Sequence, residues 1–201
     1  MFYNYSKNTE TSKSKELKVL NEQPKQESNK KSSDNNLTKK MRNIFEQHVW
    51  WTRNYLITQT DKTADADVVL ARLLQNPVDI GNIYKEYYGN DVAKKIADLF
   101  TTHLAIGGQI IDAQIKGDAS AFVDYQNKWK QNATEIAQYL SSINKKYDEK
   151  VLNDMMQMHL DLTTAEIEDR VEGMHQTEIE VFDQVENMIL QMADYLASGL
   201  E

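Results

Sequence analysis

The chain has 201 residues, 40% of them hydrophobic and 27% charged, enough apolar content for one folded domain with a tail. It contains no cysteine, which excludes disulfides, thiolate metal sites and cysteine nucleophiles. A net charge of -8 disfavours nonspecific nucleic-acid binding, which needs a basic surface, and seven Gly with two Pro are few for an all-β protein.

No apolar run approaches the roughly 18 residues needed to cross a bilayer. The segment MFYNYSKNTETSKSK has no apolar core of a secretory signal, so a cytoplasmic protein is expected, with no nucleic-acid or membrane partner. Residues 1–38 are rich in Lys, Ser, Asn, Glu and Gln, with seven Lys against five acidic residues. The remainder therefore carries about -10. Such a segment buries too little apolar surface to offset its ordering entropy and reads as a disordered tail. A short helix around Lys15–Leu20 and a docking role for Met1, Phe2, Tyr3 and Tyr5 are the alternatives.

From Leu37 onward the period is helical. A first helix over about 38–60 puts Met41, Ile44, Phe45, His48, Thr52 and Tyr55 on one stripe. Two short helices follow at about 65–75 and 77–87, divided by Asn76-Pro77, where Asn caps and Pro occupies the first helical position. Tyr87-Tyr88-Gly89-Asn90 closes that unit. Three further stripes carry His103 (helix 91–116), Trp129 and Ile136 (119–143), and His159 (148–172). A last helix over about 175–198 aligns Phe182, Val185, Ile189 and Met192. Gly117-Asp118 reads as a turn and a new cap, and Gly173 as a break. Long helices of matched length with short connections predict an all-α fold: an antiparallel bundle of four to five long helices plus two short ones.

Three of the four histidines lie in the middle of apolar stripes and close to the middle of their helices. In a bundle of equal helices, mid-helix positions meet in one layer. The expected layer holds His48, His103, His159, Asn132 and Glu186, with Thr163 one turn and Glu166 two turns from His159. Three imidazoles and a carboxylate can hold Zn or Fe, which makes His48, His103 and His159 with Glu186 or Glu166 a candidate ligand set. The specific signatures of bundle metal sites are missing. The one Glu-x-x-His spacing, Glu172 to His175, is interrupted by Gly173, and no His has Glu or His four residues later. The competing reading is a hydrogen-bonded polar layer that fixes helix register. On the far side of the first helix, Glu46, Trp50 and Arg53 are expected to face the short helices or a subunit interface, with an anion site at Arg53 as a further reading. Gly107-Gly108 is no phosphate loop and instead suits close approach of a helix beside His103. His175, next to the Gly173 break, is expected to be exposed.

The segments EQHVWWTR, RLLQNPVDIGNIYKEYYG, HLAIGGQIIDAQIKGD, WKQNATEIAQYLSSIN, MMQMHLDLTTAEIEDR and FDQVENMILQMADYLASGL occur in an order that resembles a family of small all-helical bacterial proteins of Bacillus- and Clostridium-type organisms. The resemblance covers about 39–200. It implies the helical fold and marks His48, Arg53, His103, Asn132, His159 and Thr163 as family positions. Thr102 and Thr134 stand where acidic residues are usual, so no catalytic role carries over to them. Family members usually run a few residues past a closing Gly-Ile, so a short extension beyond Gly199-Leu200-Glu201 is expected. They are often labelled automatically as acetylglutamate kinase, yet that fold needs a parallel sheet and glycine-rich phosphate loops, and this chain has neither. The resemblance supplies no activity. Three readings follow: a non-enzymatic bundle that binds a ligand or protein partner through its histidine layer, an Fe or Zn bundle with redox or hydrolytic activity, and an oligomeric structural protein of sporulating cells.

Overall fold

A computed structural model describes the backbone of residues 25–201 and the side chains of residues 36–201. The expected short helix at Lys15–Leu20 and the Met1–Tyr5 cluster lie outside the described residues. Six helices are present among the described residues: α1 (Lys25–Asp61), α2 (Ala66–Leu73), α3 (Asn76–Lys116), α4 (Ala119–Ile143), α5 (Glu149–Val171) and α6 (His175–Leu200). The helical backbone of α1 begins at Lys25, upstream of the start near 38 that apolar periodicity indicates. The described residues contain no strand, and no described helix is long and apolar enough to cross a membrane.

The breaks have local causes. Gly89 has φ 82 and ψ -176 inside α3. A side chain is disfavoured in that conformation, so the helix divides there into the short and long pieces that the sequence indicates. Gly117, at φ 67, ends α3 in a left-handed cap. The Asp118 carboxylate then accepts from Ala121 N at 3.0 Å and starts α4, and Asp148 does the same for α5 through Val151 N at 2.9 Å.

Pairing runs in opposite directions along neighbouring helices. Arg42 meets Asp194, Trp50 meets Glu186, and Arg53 meets Glu178, so α1 and α6 are antiparallel. Gln126 with Thr164 and Thr134 with Asn153 set α4 against α5. Leu99 and His103 with Asn132 set α3 against α4. Tyr147 with Leu196 and Arg170 with Glu178 set α5 against α6. The apolar stripes close on one core that includes Phe45, Ile96, Trp129, Ile136, Leu160 and Ile189. Packing is tight at its end: a Cβ on Gly199 would overlap the ring of Tyr147, whose hydroxyl donates to Leu196 O at 2.6 Å.

Candidate metal centre

His48, His103 and His159 are 3%, 1% and 4% exposed, which places them inside the bundle. Their ring centroids are 6.3 Å apart for His48–His103, 5.7 Å for His48–His159 and 6.0 Å for His103–His159. One ligand nitrogen from each lies within 4.8 Å of the other two. The antiparallel register produces this meeting, because each imidazole sits near the middle of its own helix.

Two of the rings are held by the same device. Asn76, at the start of α3, donates from Nδ2 to Ile44 O at 2.8 Å. A carbonyl can only accept, so the Asn76 Oδ1 is turned to His48 Nδ1, 3.0 Å away. The imidazole must therefore donate from Nδ1, and its Nε2 keeps a free lone pair. On α4, Asn132 donates to Leu99 O at 3.2 Å and presents Oδ1 to His103 Nδ1 at 3.0 Å. Ile44 and Leu99 each precede their histidine by one helical turn, so the two Asn–His pairs are equivalent. Such an anchor on the second nitrogen orients an imidazole and sets its tautomer, as in many metal-ligating histidines. His159 is held less firmly, with the Thr163 hydroxyl 3.5 Å from Nδ1. Trp129 lies against His103, centroid to centroid 5.1 Å, and donates from Nε1 to His103 O at 3.0 Å.

Burial disfavours the charged imidazoles. His48 is pushed down to about 4 by burial, opposed by its bond to Asn76. His103 is pushed down to about 3 by burial and then by the charge of His48, again opposed by its Asn. His159 falls well below its ordinary value by burial and then by the charges of His48 and His103. All three are neutral near pH 7, as ligands must be.

The three rings line a pocket together with Leu73, Leu104, Ile111, Trp129, Ile167 and the buried Thr163. Thr52, Tyr55, Gly107 and Gly108 form its partly exposed rim. The cavity has a volume of about 20 Å³, room for about one water, which needs about 10–15 Å³.

Several expected positions lie elsewhere. Among the described residues no carboxylate joins the histidine ligand group. Glu186 is level with the layer but on its outer side, where it accepts from Trp50 Nε1 at 2.9 Å. Glu166 belongs to a separate ionic cluster. Arg53, expected to face the short helices, turns instead between α5 and α6, where Nη1 meets Glu166 at 3.1 Å and Glu178 at 2.5 Å, and its guanidinium stacks on Phe182. Arg170 adds a second cation 3.6 Å from Glu178 and pairs with Asp61 at 2.7 Å. Burial raises the Glu166 carboxyl to about 7, opposed by the charge and hydrogen bond of Arg53. The Glu178 contacts act by charge, since neither carboxylate oxygen receives an aligned N–H. Two buried carboxylates thus already meet Nη1 of Arg53. Trp50, 45% exposed, packs edge-on to Phe182 of α6. The short helix α2 covers its neighbour instead, with Arg72 over the Trp51 ring and bonded to Gln47 at 2.6 Å. The side chain of His175 is 61% exposed, its Nδ1 3.6 Å from Glu178.

Asn76 is a residue of the histidine layer that the sequence does not place there. Asn-Pro reads as a helix cap, yet the position before α3 is Gln75, with no side-chain cap bond, and the Asn76 amide is spent on His48. The available signal was its separation of 28 residues from His48, close to the 29 between His103 and Asn132. No family model, no curated protein and no solved structure matches the chain.

Proposed function

We propose that the protein binds one divalent transition-metal ion, Zn²⁺ or Fe²⁺, on His48, His103 and His159, with a further coordination position open to the pocket. The carrying observation is the convergence of three buried ligand nitrogens within 4.8 Å of one another, two of them on rings anchored by Asn76 and Asn132. At that outer limit the three corners lie about 2.8 Å from their common centre, against about 2.0–2.1 Å for a Zn–N bond. Closure thus asks each ring to advance about 0.7 Å. Three protein ligands with an open position is the pattern of a reactive site rather than a purely structural one. A bound ion would act there as a Lewis acid on whatever occupies that position.

Protein purified without a His tag from Zn- and Fe-supplemented medium tests this by elemental analysis. A metal-to-protein ratio near one is expected for wild type, and one near zero for the variant with His48 and His103 both replaced by Ala. A ratio near zero in wild type, reloading included, refutes the proposal. It would leave the second reading, a hydrogen-bonded layer that fixes register, which is favoured by the way the Asn–His bonds tie α1 to α3 and α3 to α4.

A further inference from the structure

Helix direction puts three equivalent positions on one side of the histidine layer. α6 runs opposite to α1 and α5, and α4 runs opposite to α3 and α5. α1, α3 and α5 therefore run the same way. The fourth residue after each histidine then lies one turn beyond the layer, on a common side. Those residues are Thr52, Gly107 and Thr163, and all three line the pocket with the imidazoles. Packing sets the glycine, since a Cβ on Gly107 would sit 3.4 Å from Trp129 Cζ2. The other two positions bring hydroxyls.

The two hydroxyls have different needs. Thr52 donates its one proton to His48 O at 2.7 Å, so toward the pocket it can only accept. Thr163 is 3% exposed. Its Oγ1 meets His159 Nδ1 at 3.5 Å and has no other partner among the described residues. That separation is the outer limit for a hydrogen bond, and a buried hydroxyl held so weakly is costly. The cavity of about 20 Å³ has room for about one water, which needs about 10–15 Å³ and polar partners around it. An anion without a proton offers Thr52 nothing. A water on the ion offers two O–H groups.

We infer that the fourth ligand of the centre is a single water molecule, held by donation to the Thr52 and Thr163 hydroxyls. This rests on the metal site proposed above. The water oxygen gives a lone pair to the ion, its two O–H groups go to Thr52 Oγ1 and Thr163 Oγ1, and no proton is transferred. Thr52 and Thr163 are then positioning residues, which act through the water.

The test uses full-length protein loaded with Co²⁺ and equilibrated in ¹⁷O-enriched water. Wild type should show hyperfine coupling from one ¹⁷O bound to cobalt, and azide, too large for the cavity, should leave its visible spectrum unchanged. Replacing Thr52 and Thr163 both by Val removes the hydroxyls and keeps the branched shape. That variant should still bind cobalt, with an altered visible spectrum and an affinity lower by on the order of ten-fold. Thr163→Val alone should give part of the change, and Ser at both positions should behave as wild type. If cobalt does not bind to wild type, the metal site is refuted and this inference with it. If cobalt binds without ¹⁷O coupling, or azide changes the wild-type spectrum saturably, the inference fails while the metal site stands. It fails in the same way if both Val variants match wild type in spectrum, coupling and affinity.

Discussion

Replacing Asn132 by Ala removes two hydrogen bonds at once, to His103 Nδ1 at 3.0 Å and to Leu99 O at 3.2 Å. The Leu99 carbonyl retains its helical partner, so that loss is worth about 1 kcal/mol. The His103 Nδ1–H is left buried with no acceptor, at a cost of about 1–3 kcal/mol. A total near 2–4 kcal/mol corresponds to a fall in Tm of roughly 5–15 °C for a domain of this size. The metal site should suffer separately, because an unanchored ring can turn or exchange its tautomer, and loss of such a partner weakens metal binding by about 10–100-fold. Thermal unfolding by circular dichroism gives the first quantity, and Zn²⁺ competition against a chromophoric chelator gives the second. A variant with an unchanged Tm, or with wild-type Zn²⁺ affinity, would refute the role assigned to Asn132. Asn76→Ala should behave alike through His48 and Ile44.

Other outcomes follow from the same contacts. The folded-state pKa of His48 lies near 4, below the ordinary 6.5, so the unfolded chain binds more protons between those values. Its contribution, roughly 3 kcal/mol, is present above pH 6.5 and is lost as pH falls toward 4. Urea unfolding should show this acid-side loss, reduced in His48→Gln; an unreduced loss would count against the burial argument. Glu166 has the opposite sign: its carboxyl is raised to about 7, so its contribution is present below about 4.5 and lost as pH rises through 7. Arg53→Met strands Glu166 in the interior and leaves Glu178 with Arg170 as its remaining buried cation; it should cost about 3–5 kcal/mol, more at pH 8 than at pH 5, and equal costs at the two pH values would contradict the pairing. Gly199→Ala should cost about 1–3 kcal/mol by driving a methyl into the Tyr147 ring, with substantial recovery in the double variant that also carries Tyr147→Leu. Glu186→Ala should leave Zn²⁺ affinity unchanged, since that carboxylate faces Trp50; a large loss would return it to the ligand set.

The helices and their breaks were legible because local chemistry sets them. Asn-Pro, Gly89, Gly117-Asp118 and Gly173 each act within a few residues, and the apolar stripes repeat at the helical period. The level of the polar layer was legible as well, because helices of matched length bring their midpoints together: His48, His103, Asn132 and His159 lie at one height, and so does Glu186. Direction around the axis was harder to read. Glu186 sits at the edge of its stripe, where a modest rotation decides between core and surface, and Arg53 sits on the far side of α1, where the neighbouring helix decides whether it is covered. Periodicity fixes that rotation only by reference to the neighbouring helix. Arg53 went inward because α5 and α6 offer Glu166 and Glu178 to it, while Glu186 stayed outside because Trp50 offers an N–H there. Asn76 was hidden for another reason. Its cap signature was strong locally, and only the fold brings it beside His48.

Imidazole ¹⁵N NMR of the full-length protein, before and after one equivalent of Zn²⁺, addresses the tautomers and the metal site together. Without metal, His48 and His103 should be protonated at Nδ1 and bare at Nε2. On addition of Zn²⁺ both Nε2 signals and one ring nitrogen of His159 should move together and stop moving at one equivalent, while His175 stays in place. Protonation at Nε2 in the starting protein, or three buried rings that do not respond to Zn²⁺, would contradict the proposed centre.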